Sequence, residues 1–323
     1  MRAWQITALG TPATLRELPA PTPAPGEARI AIQACGLNFA DLLMAEGRYQ
    51  EQPALPFIPG LELAGTVLDL GPGTEGPPPG TRVAVYSGQG GLAEQGCFPV
   101  ESLLPLPDGM PMAEAAGFQI AYGTSHLALA HKARLQPGET LLVLGAAGGV
   151  GLTAVEVGRQ MGARVIACAR GADKLAIARA AGADEVIDSD HPDLKSALKA
   201  MGGADVVYDP VGGPAFDAAL RATRPDGRIL SIGFASGTVP QIPANILLVK
   251  NITVIGFWWG GYLHFAPQIL RDSLSTLLRW HAEGRLRPHI SHRLPLDRFP
   301  EGLDLLRRRA ATGKVVIEIA QQQ

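Results

Sequence analysis

The sequence predicts an α/β protein in which a doubly wound parallel sheet is inserted into a β-rich domain. Three observations predict it. The stretch Leu141–Gly162, LLVLGAAGGVGLTAVEVGRQMG, reads as strand, small-residue turn and helix. Further apolar runs follow it, alternating with helical segments. Residues 1 to about 115 are richer in strand and turn signals, and the chain closes on another strand. At 323 residues it is long enough for two domains.

The β-rich flank comes first. Pro25-Gly26-Glu27 is a turn, and Ala28–Ala34 alternates Ile30 and Ile32 with Arg29 and Gln33, as a half-buried strand does. A strand is expected at Leu61–Leu70, a loop at Gly71–Gly80, a strand at Thr81–Tyr86 and a glycine-rich loop at Gly88–Gly96. Turn signals crowd Ser102–Pro111, and Met112–Ala116 begins a helical stretch.

From Ala121 the texture changes, and helical spacing runs through Thr124–Ala133. Leu141–Leu144 is continuously apolar, as a strand buried on both faces should be. Val150, Ala154, Val157 and Met161 then recur at helical spacing. The turn between them is nearly G-x-G-x-x-G, with Ala146 in the first glycine place and Gly148 and Gly151 in the others. A helix N-terminus leaves backbone N–H groups unpaired, and its dipole favours an anion. Ala147, Gly148, Gly149 and Val150 are therefore candidate contacts for a diphosphate.

The strand Arg164–Ala169 and the helix Asp173–Ala181 complete a βαβ unit. An acidic residue at the end of that second strand would bond the ribose 2′-OH of NAD. Here Arg170 stands there, with Lys174 one helical turn on, and both suit a 2′-phosphate. NADP(H) is the expected cofactor, against the plainer reading that both are solvated surface cations. Asp188-Ser189-Asp190 follows the third strand and would repel a phosphate unless its carboxylates point away. Strands continue at Asp205–Asp209, Arg228–Gly233 and Ile252–Phe257, with helices at Asp193–Met201 and Pro214–Ala222 between. After Trp258 come a helix at Ala266–Glu283, an extended HISHRLPL, a helix at Phe299–Ala310 and a strand at Lys314–Ile319.

Composition excludes several classes. The net charge of −2 gives no basic surplus for nucleic acid, and no apolar run is long enough to span a bilayer. The N-terminus lacks a signal-peptide core, so the cytoplasm is the expected compartment. Cys35, Cys97 and Cys168 have no metal-site spacing and read as small buried or semi-exposed thiols. His126 and His131 read as surface or packing residues.

Cys35–Asp41 (CGLNFAD), Pro59–Glu62 (PGLE), Gly123-Thr124, Pro137–Glu139, Gly145–Gly151, Asp209–Gly213 (DPVGG), Gly233–Gly237 (GFASG) and Gly313–Val316 (GKVV) together carry a resemblance. Over essentially its whole length the chain resembles the zinc-free quinone oxidoreductase branch (NADPH:quinone reductases, ζ-crystallin-like) of the medium-chain dehydrogenase/reductase superfamily. The resemblance implies a Rossmann domain over 121–257 inserted in a GroES-like catalytic domain formed by 1–120 and 258–323, with substrate and cofactor meeting in a cleft. Zinc alcohol dehydrogenases of that superfamily carry a cysteine where Asn38 stands and a histidine where Leu61 stands. An amide and an isobutyl group cannot hold Zn²⁺, so no metal is expected.

The same resemblance implies that Asn38, Thr124, Gly233, Phe234, Ala235 and the segment containing Phe257 and Trp258 lie near the nicotinamide. It places Asp209 and Gly212 beside the ribose and diphosphate, and Arg309 where a cofactor-contacting arginine is common. Tyr49, Asn38 or Thr124 would hydrogen-bond the substrate oxygen that gains charge. Plainer roles stand beside these: Asn38 as a helix cap, Gly212-Gly213 as a turn, Trp258-Trp259 as core and Tyr49 as packing. The expected reaction is hydride transfer from NADPH to a quinone, with the proton drawn from water. An enoyl or alkenal reductase and a non-catalytic NADPH-binding protein are the alternatives. A homodimer is expected because Ile252–Phe257 reads as an apolar edge strand that needs covering.

Overall fold

The computed structural model describes residues Met1–Ile319, which form two units. One comprises Met1–Ile120 and the segment from Pro288 onward; the other is Ala121–Arg287. The second division thus falls after Arg287, not after 257, and the long helix beyond Trp258 packs within the second unit. The last four residues of the 258–323 stretch lie outside the described residues.

The first unit opens with the antiparallel pair β1 (Arg2–Gln5) and β2 (Thr14–Glu17). Then come β3 (Glu27–Leu37), α1 (Phe39–Ala45), β4 (Glu62–Leu70), β5 (Arg82–Tyr86), β6 (Gln95–Pro99), β7 (Leu103–Pro105) and α2 (Met112–Ala116).

The second unit carries most of α3 (Gln119–His126), which continues as a π-helical stretch over Leu127–Lys132. It proceeds through β8 (Thr140–Leu144), α4 (Gly149–Gln160), β9 (Arg164–Ala169), α5 (Ala172–Ala180), β10 (Glu185–Asp188), α6 (Leu194–Ala200), β11 (Ala204–Asp209), α7 (Gly213–Ala222), β12 (Thr223–Ser231), α8 (Ala244–Lys250), β13 (Thr253–Gly256), α9 (Tyr262–Phe265) and α10 (Pro267–Ala282). Its six strands are all parallel, in the order β10-β9-β8-β11-β12-β13. Every residue of β8 is buried, as its unbroken apolar run requires. The strand order reverses between β8 and β11, and ligands of such sheets bind outside the carboxyl ends at that point. Along α10, Leu270, Leu274, Leu277 and Leu278 form the buried stripe, with Pro267 in its first turn.

The chain returns to the first unit as β14 (Ile290–Pro295), α11 (Phe299–Arg307) and β15 (Lys314–Glu318). The sheet order there is β14-β15-β3-β4-β5-β7, with β6 also paired to β3. Ile30, Ile32, Leu63, Val83, Val85, Phe98, Val315 and Ile317 are in its core, where the alternation of β3 directs its isoleucines. Register matters more for function. Gly36 pairs with Glu62, Glu62 with Tyr86, and Val315 with Leu37. Asn38 just beyond β3, Glu62 opening β4, Tyr86 closing β5 and Lys314 opening β15 therefore lie at one end of the sheet.

Candidate functional site

In the second unit, three loops at the carboxyl ends of β8, β11 and β12 lie against one another. The β8 loop ends at Gly148, the N-cap of α4, with extended backbone (φ −80°, ψ 175°). Gly148 N–H donates to the Gly145 carbonyl at 2.9 Å, inside the turn. The N–H groups of Ala147, Gly149 and Val150 find no acceptor among the described residues, so these are the donors an anion would meet. Gly148 contributes its missing side chain: a Cβ there would meet only the Gly145 oxygen, at 3.3 Å. At Gly151 a Cβ would stand 2.2 Å from the Gly145 oxygen, so that glycine serves packing of the turn on the helix.

The β11 loop packs on this turn, since a Cβ on Gly145 would lie 2.8 Å from Val211 Cγ2. Asp209 organises it: Oδ1 accepts from Val211 N–H (2.8 Å) and Gly212 N–H (2.9 Å). Its other oxygen, Oδ2, is buried without a hydrogen-bond partner, and burial raises the carboxyl above its ordinary range. The β12 loop is stitched to it by Ala235 N–H to Pro210 O (3.0 Å) and Ser236 N–H to Val211 O (2.9 Å). Gly233 thus sits beside Asp209, and Phe234 is exposed. Trp258 is partly exposed, whereas Phe257 and Trp259 are buried, with the Phe257 ring 5.6 Å from that of Tyr262. Free helix-head N–H groups, an open space at Gly148 and an unpartnered carboxylate oxygen on the next loop fit a dinucleotide diphosphate and ribose.

At the end of β9 the charges are already in use. Arg170 Nε lies 3.0 Å from Asp190 Oδ2, with both side chains exposed. Asp188 accepts Gly171 N–H (3.1 Å) on one oxygen and Asp190 N–H (2.9 Å) on the other, tying the ends of β9 and β10 together. Asp190 therefore points at Arg170 and not away from it. Lys174 is half-buried on α5.

The first unit holds a second constellation. Lys314 Nζ donates to Asn38 Oδ1 (2.7 Å) and to Glu62 Oε1 (2.8 Å). Asn38 Nδ2 donates to the same Glu62 oxygen (2.9 Å) and to Gly36 O (3.2 Å), while Glu62 Oε2 accepts Ile120 N–H (3.0 Å). Glu62 is fully buried and the Lys314 side chain is 7 % exposed. The lysine stem lies on Gly117, where a Cβ would come within 3.0 Å of Cε. Removing one partner of such a pair typically costs about 3–5 kcal/mol. Asn38 is also the N-cap of α1, and Asp41 Oδ2 accepts its N–H at 2.8 Å. Asp41 Oδ1 is buried with no partner, and burial pushes this carboxyl up to about 7 despite the Asn38 N–H and Lys314 pulling it down. Burial likewise holds the Tyr86 phenol protonated, helped by Tyr49, Glu51, Glu62 and Asp41 around it.

Asn38 and Tyr49 thus belong to this first-unit site. Thr124, buried on α3, belongs to the second unit, and Arg309 is exposed after α11 in a left-handed conformation (φ 53°). Beyond the residues the sequence singles out, the structure adds Asp41, Glu62 and Tyr86 to this site and brings Lys314, which follows Arg309 closely in the chain, into its centre. An N-x-x-D capping pattern announces Asp41. Lys314 stands in the GKVV segment, but no local signal shows that it meets Asn38 across 276 positions.

The donors at this position do not fit a zinc ion. Leu61 offers none and is buried, and the oxygens of Asn38 and Glu62 already face an ammonium. Among the described residues no group of three or more His, Cys, Asp or Glu side chains could hold a metal. No described helix is long and apolar enough to cross a membrane.

Comparison with known proteins agrees with both units. Residues 24–108 match the alcohol dehydrogenase GroES-like domain, and residues 149–280 match the family described as zinc-binding dehydrogenase. The chain is 41% identical over 301 residues to quinone oxidoreductase-like protein 2 homolog of Nematostella vectensis, covering 91% of this chain and 82% of that protein. It is 38% identical to quinone oxidoreductase-like protein 2 of Bos taurus, covering 98% and 92%. Among solved structures, the quinone oxidoreductase from Thermus thermophilus, also described in complex with NADPH, superposes with a TM-score of 0.89 at 37% identity, covering 98% of this chain and 100% of that one. The parallel sheet, its diphosphate-shaped turn and these relatives together mean that the chain belongs to the quinone oxidoreductase branch of the medium-chain dehydrogenase/reductase superfamily.

Proposed function

We propose that this protein is an NADPH-dependent oxidoreductase that delivers hydride to a quinone or similar electron-poor carbonyl acceptor, without zinc, and works as a homodimer. The observation that carries the reading is the cradle at the reversal of strand order, where the N–H groups of Ala147, Gly149 and Val150 find no acceptor among the described residues and Gly148 leaves space beside them. A bound dihydronicotinamide supplies the hydride. Asp209 Oδ2 accepts from a ribose hydroxyl, with Gly212, Gly233, Phe234, Ala235, Phe257 and Trp258 lining the cofactor. Arg170 and Lys174 meet the 2′-phosphate once Arg170 leaves Asp190, and Arg309 adds a further cofactor contact. Asn38, Tyr49 and Thr124 are the residues assigned to the reaction itself. A quinone has electrophilic carbonyls of its own, so positioning and exclusion of water supply much of the rate. The family relatives named above support this reading.

The test is NADPH oxidation by the purified protein across a panel of quinones, enals and enoyl thioesters. Turnover with quinones is expected to exceed the rest. Preference for enoyl thioesters or enals replaces the quinone with an activated C=C bond. NADPH binding without turnover of any acceptor overturns the enzymatic reading. Elemental analysis of the same protein should show less than one zinc per chain, and stoichiometric zinc would contradict the metal-free site.

A further inference from the structure

The buried charge pair fixes Asn38 in one orientation. The Lys314 ammonium can meet only the amide oxygen, and the Glu62 carboxylate only the amide N–H, so the side chain cannot flip. Both amide hydrogens are then engaged, one by Glu62 Oε1 and one by Gly36 O. Asn38 can offer a ligand the second lone pair of Oδ1 and nothing else. It is an acceptor, and an oxyanion needs a donor.

The missing donor stands 2.7 Å away. An ammonium carries three N–H groups, and Lys314 uses two, on Asn38 and Glu62. The third finds no acceptor among the described residues. Keeping a cation this buried is costly, and hydrogen bonding that left one donor idle would make it costlier. The pair is not needed to fill space, since apolar residues of similar volume serve that purpose as well or better. Around the ammonium, Glu62 comes from β4, Asp41 from α1 and the buried Cys35 thiol from β3.

We propose that Lys314 is a catalytic residue whose third N–H binds an anionic oxygen, the one that gains charge as the acceptor is reduced. This rests on the reductase reading for the identity of the reaction. When the acceptor takes up the hydride that a bound dihydronicotinamide would supply, an electron pair moves onto the conjugated oxygen, and Lys314 would hold that oxygen by a charge-assisted hydrogen bond. One proton from water completes the two-electron reduction, and Lys314 keeps its own. The stand-in for that oxygen is a phenolate.

The variant to use is the double substitution K314M/E62Q. It removes both charges together, so the local net charge is unchanged and no buried ion is left unpaired. Wild-type protein should bind 4-nitrophenolate, at a pH where it is ionised, at least about tenfold more tightly than neutral 4-nitroanisole, and the variant should lose that preference. With a working acceptor, kcat of the variant should fall by about 100-fold or more while NADPH binding, read by fluorescence, stays as in wild type. K314R should recover part of the loss. Absence of the phenolate preference in wild type, its survival in K314M/E62Q, or an undiminished kcat overturns the assignment. If no acceptor is reduced but the Lys314-dependent preference holds, the oxyanion site stands and the reductase reading falls. If quinones turn over equally in both proteins, the reverse holds.

Discussion

Asp41 gives one end of the first unit a pH response that can be read by itself. Burial favours its neutral form, so its pKa rises from an ordinary 3.8 to about 7 on folding. Between those values the folded chain holds a proton that the unfolded chain has lost. This contribution to stability is therefore full below about pH 4 and is lost as pH rises towards 7, the reverse of a salt-bridged carboxylate. Asp41→Asn keeps an acceptor for the Asn38 N–H and should flatten that part of the profile; thermal melts of both proteins from about pH 4 to 8 with parallel slopes would refute it. At the end of β9 the exposed Arg170–Asp190 pair adds little stability but competes with a phosphate for the guanidinium. Arg170→Ala should weaken NADPH by about 10-fold or more and NADH far less, while Asp190→Asn should tighten NADPH. Equal effects on the two cofactors in titrations would remove Arg170 from the 2′-phosphate. The candidate site was legible in part. Asn38 and Arg170 stand in motifs with local spacing, so they could be named, but their partners Lys314 and Asp190 come from other strands, and no single sequence shows strand register across such distances.

Among the elements, the β8–α4 turn separates two glycines that look alike in the motif. A methyl at Gly151 would press on the backbone oxygen of Gly145 and on Ala146 Cα, neither of which can move cheaply. Gly151→Ala should therefore lower stability by about 1–3 kcal/mol, seen as a reduced melting temperature. A side chain at Gly148 meets far less of the protein, and its extended backbone accepts any residue. Gly148→Val should fold nearly as well as wild type yet lose NADPH, measured by fluorescence titration. Wild-type affinity in that variant would put the diphosphate elsewhere. The strands of the second unit were readable because an apolar run, long in β8 and β9 and shorter in β11, alternates with helical segments. The three-residue β7, the exposed β2 and the short α8 were not, because such elements are set by their tertiary partners and show no period of their own.

At the scale of the whole molecule, the open question is what covers the outer edge of the parallel sheet. β13 is the last strand in its order, with β12 on one side and no strand on the other among the described residues. An edge of free N–H and C=O groups is a template for pairing with another chain. The helix just before it, α8, turns Leu248 and Val249 outward, 77% and 72% exposed, and the preceding loop adds Val239 at 60%. Isolated apolar residues on a surface are ordinary, but several of them close in sequence to an unpaired strand suit a self-complementary interface. A second copy of the chain can pair β13 with β13 and bury both α8 faces at once, since a two-fold axis presents the same patch from each side. Light scattering should therefore give twice the chain mass. Leu248→Glu with Val249→Glu should shift the equilibrium to monomer while leaving the far-UV spectrum unchanged, because neither side chain belongs to the core. A wild-type protein that is monomeric at assay concentration and at about tenfold above it would exclude the homodimer and leave β13 as an edge protected by its short length alone.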